Sequence, residues 1–206
     1  MTKLLYIKAS PRPESRSVAV ADAYLAALKA RAPGLSVDVM DLWDEPLPEF
    51  DGDRANAKLA VITGQQHNAI QKTKWDGVIA IVERFKAADI YLFAVPMWNG
   101  GIPYRLKQYI DIVHQPGHLW GLDAATGYFG LLQNKKAVLA YTSGAYGPTA
   151  PSPAFGTDHH STYLRDWLNQ AGVTDIAEIR YQPTLLDPDS EAAFARAKTE
   201  AAALAA

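Results

Sequence analysis

Three short segments of this chain carry side chains suited to gripping a ligand. The first is Ser10-Pro11-Arg12-Pro13-Glu14-Ser15-Arg16-Ser17, with three hydroxyls and the Arg16 guanidinium just ahead of a helical apolar period. A helix start leaves backbone N–H groups unpartnered and carries the positive end of the dipole, so a phosphate binds there readily. The plainer alternative is that Ser15 or Ser17 is an ordinary N-cap. The second segment, Ala94-Val95-Pro96-Met97-Trp98-Asn99-Gly100-Gly101-Ile102-Pro103-Tyr104, follows an apolar run. Pro96 cannot donate to a strand ladder and ends the strand. Gly100 and Gly101 open backbone angles closed to other residues, and Pro103 suits a first helical position. Met97, Trp98, Asn99 and Gly100 therefore present an apolar face and free backbone N–H groups to a flat, partly polar ring. The third segment is Thr142-Ser143-Gly144-Ala145-Tyr146, whose small residues allow close backbone approach and whose tyrosine can pack or hydrogen-bond. By itself it also reads as a plain glycine turn.

Other residue clusters promise less. Asp158-His159-His160 invites a metal reading, but adjacent helical histidines point about 100° apart and rarely share an ion. An N-cap by Thr157 or Asp158 explains the cluster better, and no metal site is expected. The chain has no cysteine, which excludes disulfides, thiol nucleophiles and thiolate metal sites together. Trp120 and Trp167, each taken alone, read as core aromatics.

The elements that must position these loops alternate. Apolar strand-like runs span 3–9, 36–42, 89–95, 136–142 and 173–181. Helical periods lie between them: Val18, Ala21, Leu25 and Leu28; a long stretch over 66–87 with Val78, Ile81, Val82 and Phe85; Leu106, Ile110 and Val113; and 158–171. An alanine-rich helix opens at Asp187-Pro188-Asp189. The segment 44–64, with Pro46, Pro48 and Gly52, reads as loop, and 115–134 reads as irregular. Repeated strand–helix alternation predicts one α/β domain over 1–206, a five-stranded parallel sheet with helices on both faces. No G-x-G-x-x-G follows the first strand, which disfavours a dinucleotide fold. The order 2-1-3-4-5 puts the switch point between the first and third strands, whose carboxyl ends carry the unusual loops.

With 206 residues, 49% hydrophobic and 20% charged, the chain has the composition of a globular domain. A formal net charge of −2 provides no basic field for nucleic acid. No apolar stretch is long enough to span a membrane, and the first residues lack a signal-peptide core. A cytoplasmic protein is expected.

Ser10 with Ser15-Arg16-Ser17, Pro96-Met97-Trp98-Asn99-Gly100 and Thr142-Ser143-Gly144-Ala145 together resemble the FMN-dependent NAD(P)H azoreductases of the flavodoxin-like quinone-reductase superfamily. The resemblance runs from the first strand to the closing helix and is most specific at Pro-Met-aromatic-Asn followed by Leu106-Lys107-Gln108-Tyr109-Ile110-Asp111. It implies a flavodoxin-like fold, FMN as the bound cofactor, and two-electron transfer from NADH or NADPH to a quinone or azo acceptor by ping-pong kinetics. It further implies that Ser10, Ser15, Arg16 and Ser17 hold the FMN phosphate. Pro96, Met97, Trp98, Asn99 and Gly100 would border the ring, and Thr142, Ser143, Gly144 and Ala145 would approach its pyrimidine end. No side chain is implied to act as a nucleophile or base. Gly100 stands where the family often has Phe, and Ala145 where a second glycine is usual. Relatives are homodimers whose aromatic residues roof the partner's flavin, and Trp120 and Trp167 fall where such residues would, with Trp98 and Tyr146 lining the same acceptor slot. A proton relay through Tyr146 and His159 or His160 is only loosely comparable. The alternative is a non-enzymatic flavodoxin-type electron carrier or flavin-binding module, which the near-neutral charge disfavours.

Overall fold

Burial on both faces of the first strand sets the architecture. The structure, a computed structural model, describes residues 1–148 and 153–205. β1 (Lys3–Lys8) turns Leu4 and Tyr6 to one side of a sheet and Leu5 and Ile7 to the other, all of them buried. A strand buried on both faces belongs in the interior of a helix-covered parallel sheet. The elements then follow as α1 (Arg16–Arg31), β2 (Ser36–Asp41), α2 (Gly52–Thr63), α3 (Ala69–Lys86), β3 (Ile90–Pro96) and α4 (Tyr104–Val113). After them come β4 (Trp120–Asp123), β5 (Gly127–Gly130), β6 (Lys136–Thr142), α5 (Ser161–Ala171), β7 (Asp175–Tyr181) and α6 (Ser190–Leu204).

The parallel sheet runs β2-β1-β3-β6-β7. Counting only its own strands, this is the expected 2-1-3-4-5. One face packs on α1 and α6 through Tyr6, Val20, Tyr24, Leu92, Val138, Ala197 and Ala201. The other packs on α3, α4 and α5 through Val78, Val82, Phe85, Phe93, Leu106, Tyr109, Leu164 and Trp167. β1 and β3 lie side by side, in register from Leu4 with Ile90 to Lys8 with Ala94. The loops that follow them are therefore neighbours, and Met97 N–H donates to Thr142 O at 2.7 Å, bringing in the end of β6.

Three expectations need correction. The stretch read as loop contains α2, capped by Asp51 accepting from Arg54 N–H at 3.1 Å and closed by left-handed Gly64. Its period was obscured because only Ala57 and Ala60 are buried, while Leu59 and Ile62 face outward. The irregular segment contains the β4–β5 hairpin, whose turn is closed by Asp123 Oδ1 accepting from Ala125 and Thr126 N–H. The hairpin is rooted at Gly130: a Cβ there would stand 2.2 Å from Gly172 N, so only glycine lets β5 lie on the end of α5. α5 also starts three residues later than expected, at Ser161.

Candidate functional site

At the carboxyl end of β1, Ser15 is the N-cap of α1, extended at φ −74°, ψ 122°, with its hydroxyl accepting from Val18 N–H at 3.4 Å. Ser17 is fully buried beneath it, the two hydroxyl oxygens 3.0 Å apart. Ser10 Oγ accepts from Arg12 N–H at 3.4 Å, curling the loop back on itself. The first turn of α1 holds no acidic residue. The cap and the phosphate readings are thus compatible: the cap bond uses a lone pair of Ser15 and leaves its proton. Arg16 pairs with Glu191 of α6 at 2.7 Å and stacks on Phe194, its guanidinium carbon 4.3 Å from the ring centre. Its charge is thus already partnered. Arg12, a cation passed over in the sequence reading, lines the same crevice.

After β3, Asn99 (φ 49°) and Gly100 (φ 83°) are both left-handed. Trp98 N–H donates to Gly101 O at 2.8 Å, and Gly101 N–H returns to Trp98 O at 3.0 Å. This is a two-residue hairpin turn of the type that Asn-Gly favours. The loop is consequently fixed, but the N–H groups of Met97, Trp98 and Gly101 go into its own scaffold. The donors expected for a ligand reduce to the Asn99 and Gly100 tip. Trp98 packs against Trp43 and Tyr104, with centroids 5.6 Å and 6.1 Å away. Trp43 also donates its indole N–H to Ala9 O at 3.2 Å. Trp43 follows β2 in an unperiodic segment, which offered no signal for this buttress.

After β6, the Ser143 hydroxyl donates to Tyr146 O, so it shapes the turn. Thr184 and Leu185 N–H donate to Ser143 and Gly144 O at 2.8 Å and 3.0 Å, adding the loop after β7 as a wall. The outcome is a crevice of about 240 Å³ bordered by Ser10, Arg12, Ser15 and Arg16 at one end. Pro96, Met97, Trp98, Thr142, Ser143, Gly144, Thr184 and Leu185 complete it. Thr184 and Leu185 were missed, since nothing in their types marks them.

Several expected residues stand elsewhere. Asn99, Gly100, Ala145 and Tyr146 sit in the crevice loops without bordering the crevice itself, and Ser17 lies under Ser15. Trp167 is a core residue, 3% exposed between Phe85, Phe93 and His114, and cannot roof a ligand. Trp120 packs on His114 and Tyr128 at the far end of α4, a ten-residue helix about 15 Å long whose other end adjoins the 97–103 loop. It does not border this chain's crevice. His160 is buried with Nε2 3.1 Å from Val95 O. A carbonyl only accepts, so Nε2 carries the proton, and burial pushes its pKa down to about 4. This neutral, enclosed ring does not border the crevice, and His159 is exposed outside it. The N-cap of α5 is His160 and not Thr157 or Asp158 as expected, because the helix begins only at Ser161; Asp158, two residues ahead, accepts from Ser161 and His160 N–H at 2.7 Å and 3.0 Å. No cluster of metal-ligating side chains occurs among the described residues.

FMN carries one phosphate, a ribityl chain and a flat tricyclic ring. The residues present suit each part: a hydroxyl-lined helix start with two arginines and no acid in its first turn, then a short trough, then a fixed loop with Met97 and Trp98. Sheet order, switch-point crevice and anion-suited helix start define a nucleotide-binding α/β protein of the doubly wound kind. The chain belongs to the flavodoxin-like fold family, whose model matches residues 2–205. It is 51% identical over 198 residues to an FMN-dependent NADH:quinone oxidoreductase of Ruegeria pomeroyi, covering 96% of this chain and 97% of that one. Against the protein of that description from Desulfotalea psychrophila, identity is 41%, covering 100% and 97%. Among solved structures, an azoreductase from Bacillus anthracis superposes with a TM-score of 0.90 at 27% identity, covering 100% of this chain and 99% of that one. An FMN-dependent NADH-azoreductase from Bacillus anthracis in complex with FMN gives 0.84 at 25% identity over the whole of both chains.

Proposed function

We propose that this protein is an FMN-dependent oxidoreductase that moves two electrons from NADH or NADPH to quinones and azo compounds. The observation that carries the reading is the convergence of the Ser10–Arg16, Pro96–Trp98 and Thr142–Gly144 loops on one crevice. FMN, when bound, supplies the acceptor and donor of hydride. The chain's own residues bind and orient: Ser10, Ser15 and the α1 start hold the phosphate, with Ser17 supporting Ser15 from below. Met97 and Trp98 fix one side of the ring, and Thr142 to Gly144 border its far end. Donor and acceptor use one exposed flavin face in turn, which is a ping-pong scheme. Agreement over nearly full length with two NADH:quinone oxidoreductases supports the acceptor class over a flavodoxin-type carrier.

The active unit is a homodimer working in the cytoplasm, where reduced nicotinamide is supplied. Support comes from the β4–β5 hairpin, which carries Leu122, Tyr128 and Phe129 at 60%, 66% and 47% exposure. Aromatic and aliphatic groups of this kind on a projecting arm suit a contact between subunits. The test is NADH- and NADPH-dependent reduction of a quinone panel by purified protein with added FMN. Parallel initial-rate lines at varied acceptor are expected. Loading with FMN but no turnover of any acceptor would leave a carrier or binding module as the function.

A further inference from the structure

We propose that Asp158 is a positioning residue that clamps the two ring-flanking loops, 97–101 and 142–146, at one fixed spacing. This rests on the flavin reading above.

Asp158 lies on neither loop, yet its neighbourhood ties both. Its Oδ1 receives His160 N–H (3.0 Å) and Ser161 N–H (2.7 Å). Its Oδ2 receives the Ser161 hydroxyl (2.5 Å) and the Tyr146 hydroxyl (3.4 Å). Its backbone carbonyl receives the Thr162 hydroxyl at 2.5 Å. Arg180 Nη1 of β7 stands 3.7 Å from Oδ2, while Arg180 Nη2 donates to Ser161 Oγ at 2.8 Å. An N-cap alone needs only one oxygen and the α5 amides. The second oxygen faces the Tyr146 end of the 142–146 turn.

The residues beside Asp158 hold the other loop. His159 N–H donates to Gly100 O at 3.0 Å, and the His160 ring donates to Val95 O at 3.1 Å. The segment approaches so closely that a Cβ on Gly100 would stand 3.4 Å from Thr157 O. One turn thus receives Tyr146 through its carboxylate and grips Val95 and Gly100 through its backbone and imidazole. Hydrogen bonds to a charged acceptor are the stronger kind, and the Asp158 side chain is only 16% exposed. The carboxylate thus meets the 142–146 turn directly at Tyr146 and reaches loop 97–101 only through its neighbours, by fixing the backbone of His160 beside the His159 N–H that holds Gly100 O.

Asp158→Asn separates this role from support of the α5 start, because an Asn side-chain oxygen accepts from His160 and Ser161 N–H as the Asp oxygen does. The first measurement is backbone amide hydrogen exchange on flavin-free protein. A clamp predicts at least tenfold faster exchange in both 97–104 and 142–148, with the strand interiors of β1 and β3 unchanged. A cap alone predicts change confined to 158–164, which would overturn the proposal. The second measurement is flavin affinity by fluorescence quenching. Asp158→Asn should raise the dissociation constants of FMN and riboflavin by the same factor, about tenfold, since the loops border the ring and not the phosphate. Tyr146→Phe, which removes one donor and leaves the cap intact, should give roughly a third of that effect and keeps the test available if Asp158→Asn does not fold. Unchanged affinities in folded variants would refute the clamp, whereas absence of flavin binding by the wild type would refute the flavin reading.

Discussion

The Ser15/Ser17 pair offers the sharpest test of how the phosphate is held. Two hydroxyls contribute two protons, and their mutual contact at 3.0 Å uses one. Ser15 meets Val18 N–H with a lone pair, so one proton stays free for an anion. Replacing both by Ala removes at least one charge-assisted donor, about 1.5–3 kcal/mol, or about ten- to a hundredfold in the FMN dissociation constant. The same change deletes the N-cap, which costs about 1 kcal/mol of folding stability, so affinity alone would mix two effects. Riboflavin, which has no phosphate, separates them. The ratio of riboflavin to FMN dissociation constants should fall at least tenfold in Ser15→Ala/Ser17→Ala, measured by fluorescence quenching well below the melting temperature. A ratio equal to that of the wild type would show that the phosphate lies elsewhere, and tight retention of FAD by the wild type would refute a one-phosphate site.

Other outcomes follow from the same geometry. Trp98→Ala should weaken both flavin loading and turnover, because Trp98 borders the crevice; Trp120→Ala should slow acceptor turnover several-fold with loading intact. The reverse pattern would mean that the two tryptophans have been assigned the wrong way round. Sedimentation should give twice the 22.5 kDa of one chain, and a fully active monomer would remove any role for Trp120 at a second crevice. His160, neutral when folded with a pKa near 4, binds its proton more readily unfolded, at about 6.5. Stability should therefore be full above pH 6.5 and fall as pH drops towards 4, by up to roughly 3 kcal/mol. His160→Gln should flatten that slope in urea midpoints, and an unaltered slope would exclude His160 as its source. Gly130→Ala should destabilise by about 1–3 kcal/mol through overpacking against Gly172, and a melting temperature equal to the wild type's would contradict that packing.

Much of the fold was legible in the chain because strong periods and hard stops are local properties. The buried strands at 3–8, 90–96 and 136–142, the stop at Pro96 and the Ser15 cap follow from side-chain type and spacing; strand–helix alternation gives a parallel sheet, and the missing G-x-G-x-x-G selects between its two common orders. The three loops that meet at the crevice were legible for the same reason, since glycine, proline and serine impose backbone angles and donors wherever they stand. What only the tertiary structure decided is which groups remain free once the chain has folded. The N–H groups of Met97 and Trp98 and the hydroxyl of Ser143 look available in sequence, yet each is taken by a partner brought in by the fold. Trp167 and Trp120 share a residue type, but a helix face turned to the sheet buries one, whereas the hairpin leaves the other half-buried at the edge of the core beside His114. Arg16 is matched by Glu191 across 175 residues, and Trp43, Thr184 and Asp158 serve the site through contacts with no local signature. Side-chain chemistry is set residue by residue, whereas the competition for each donor, acceptor and charge is settled only when distant segments meet.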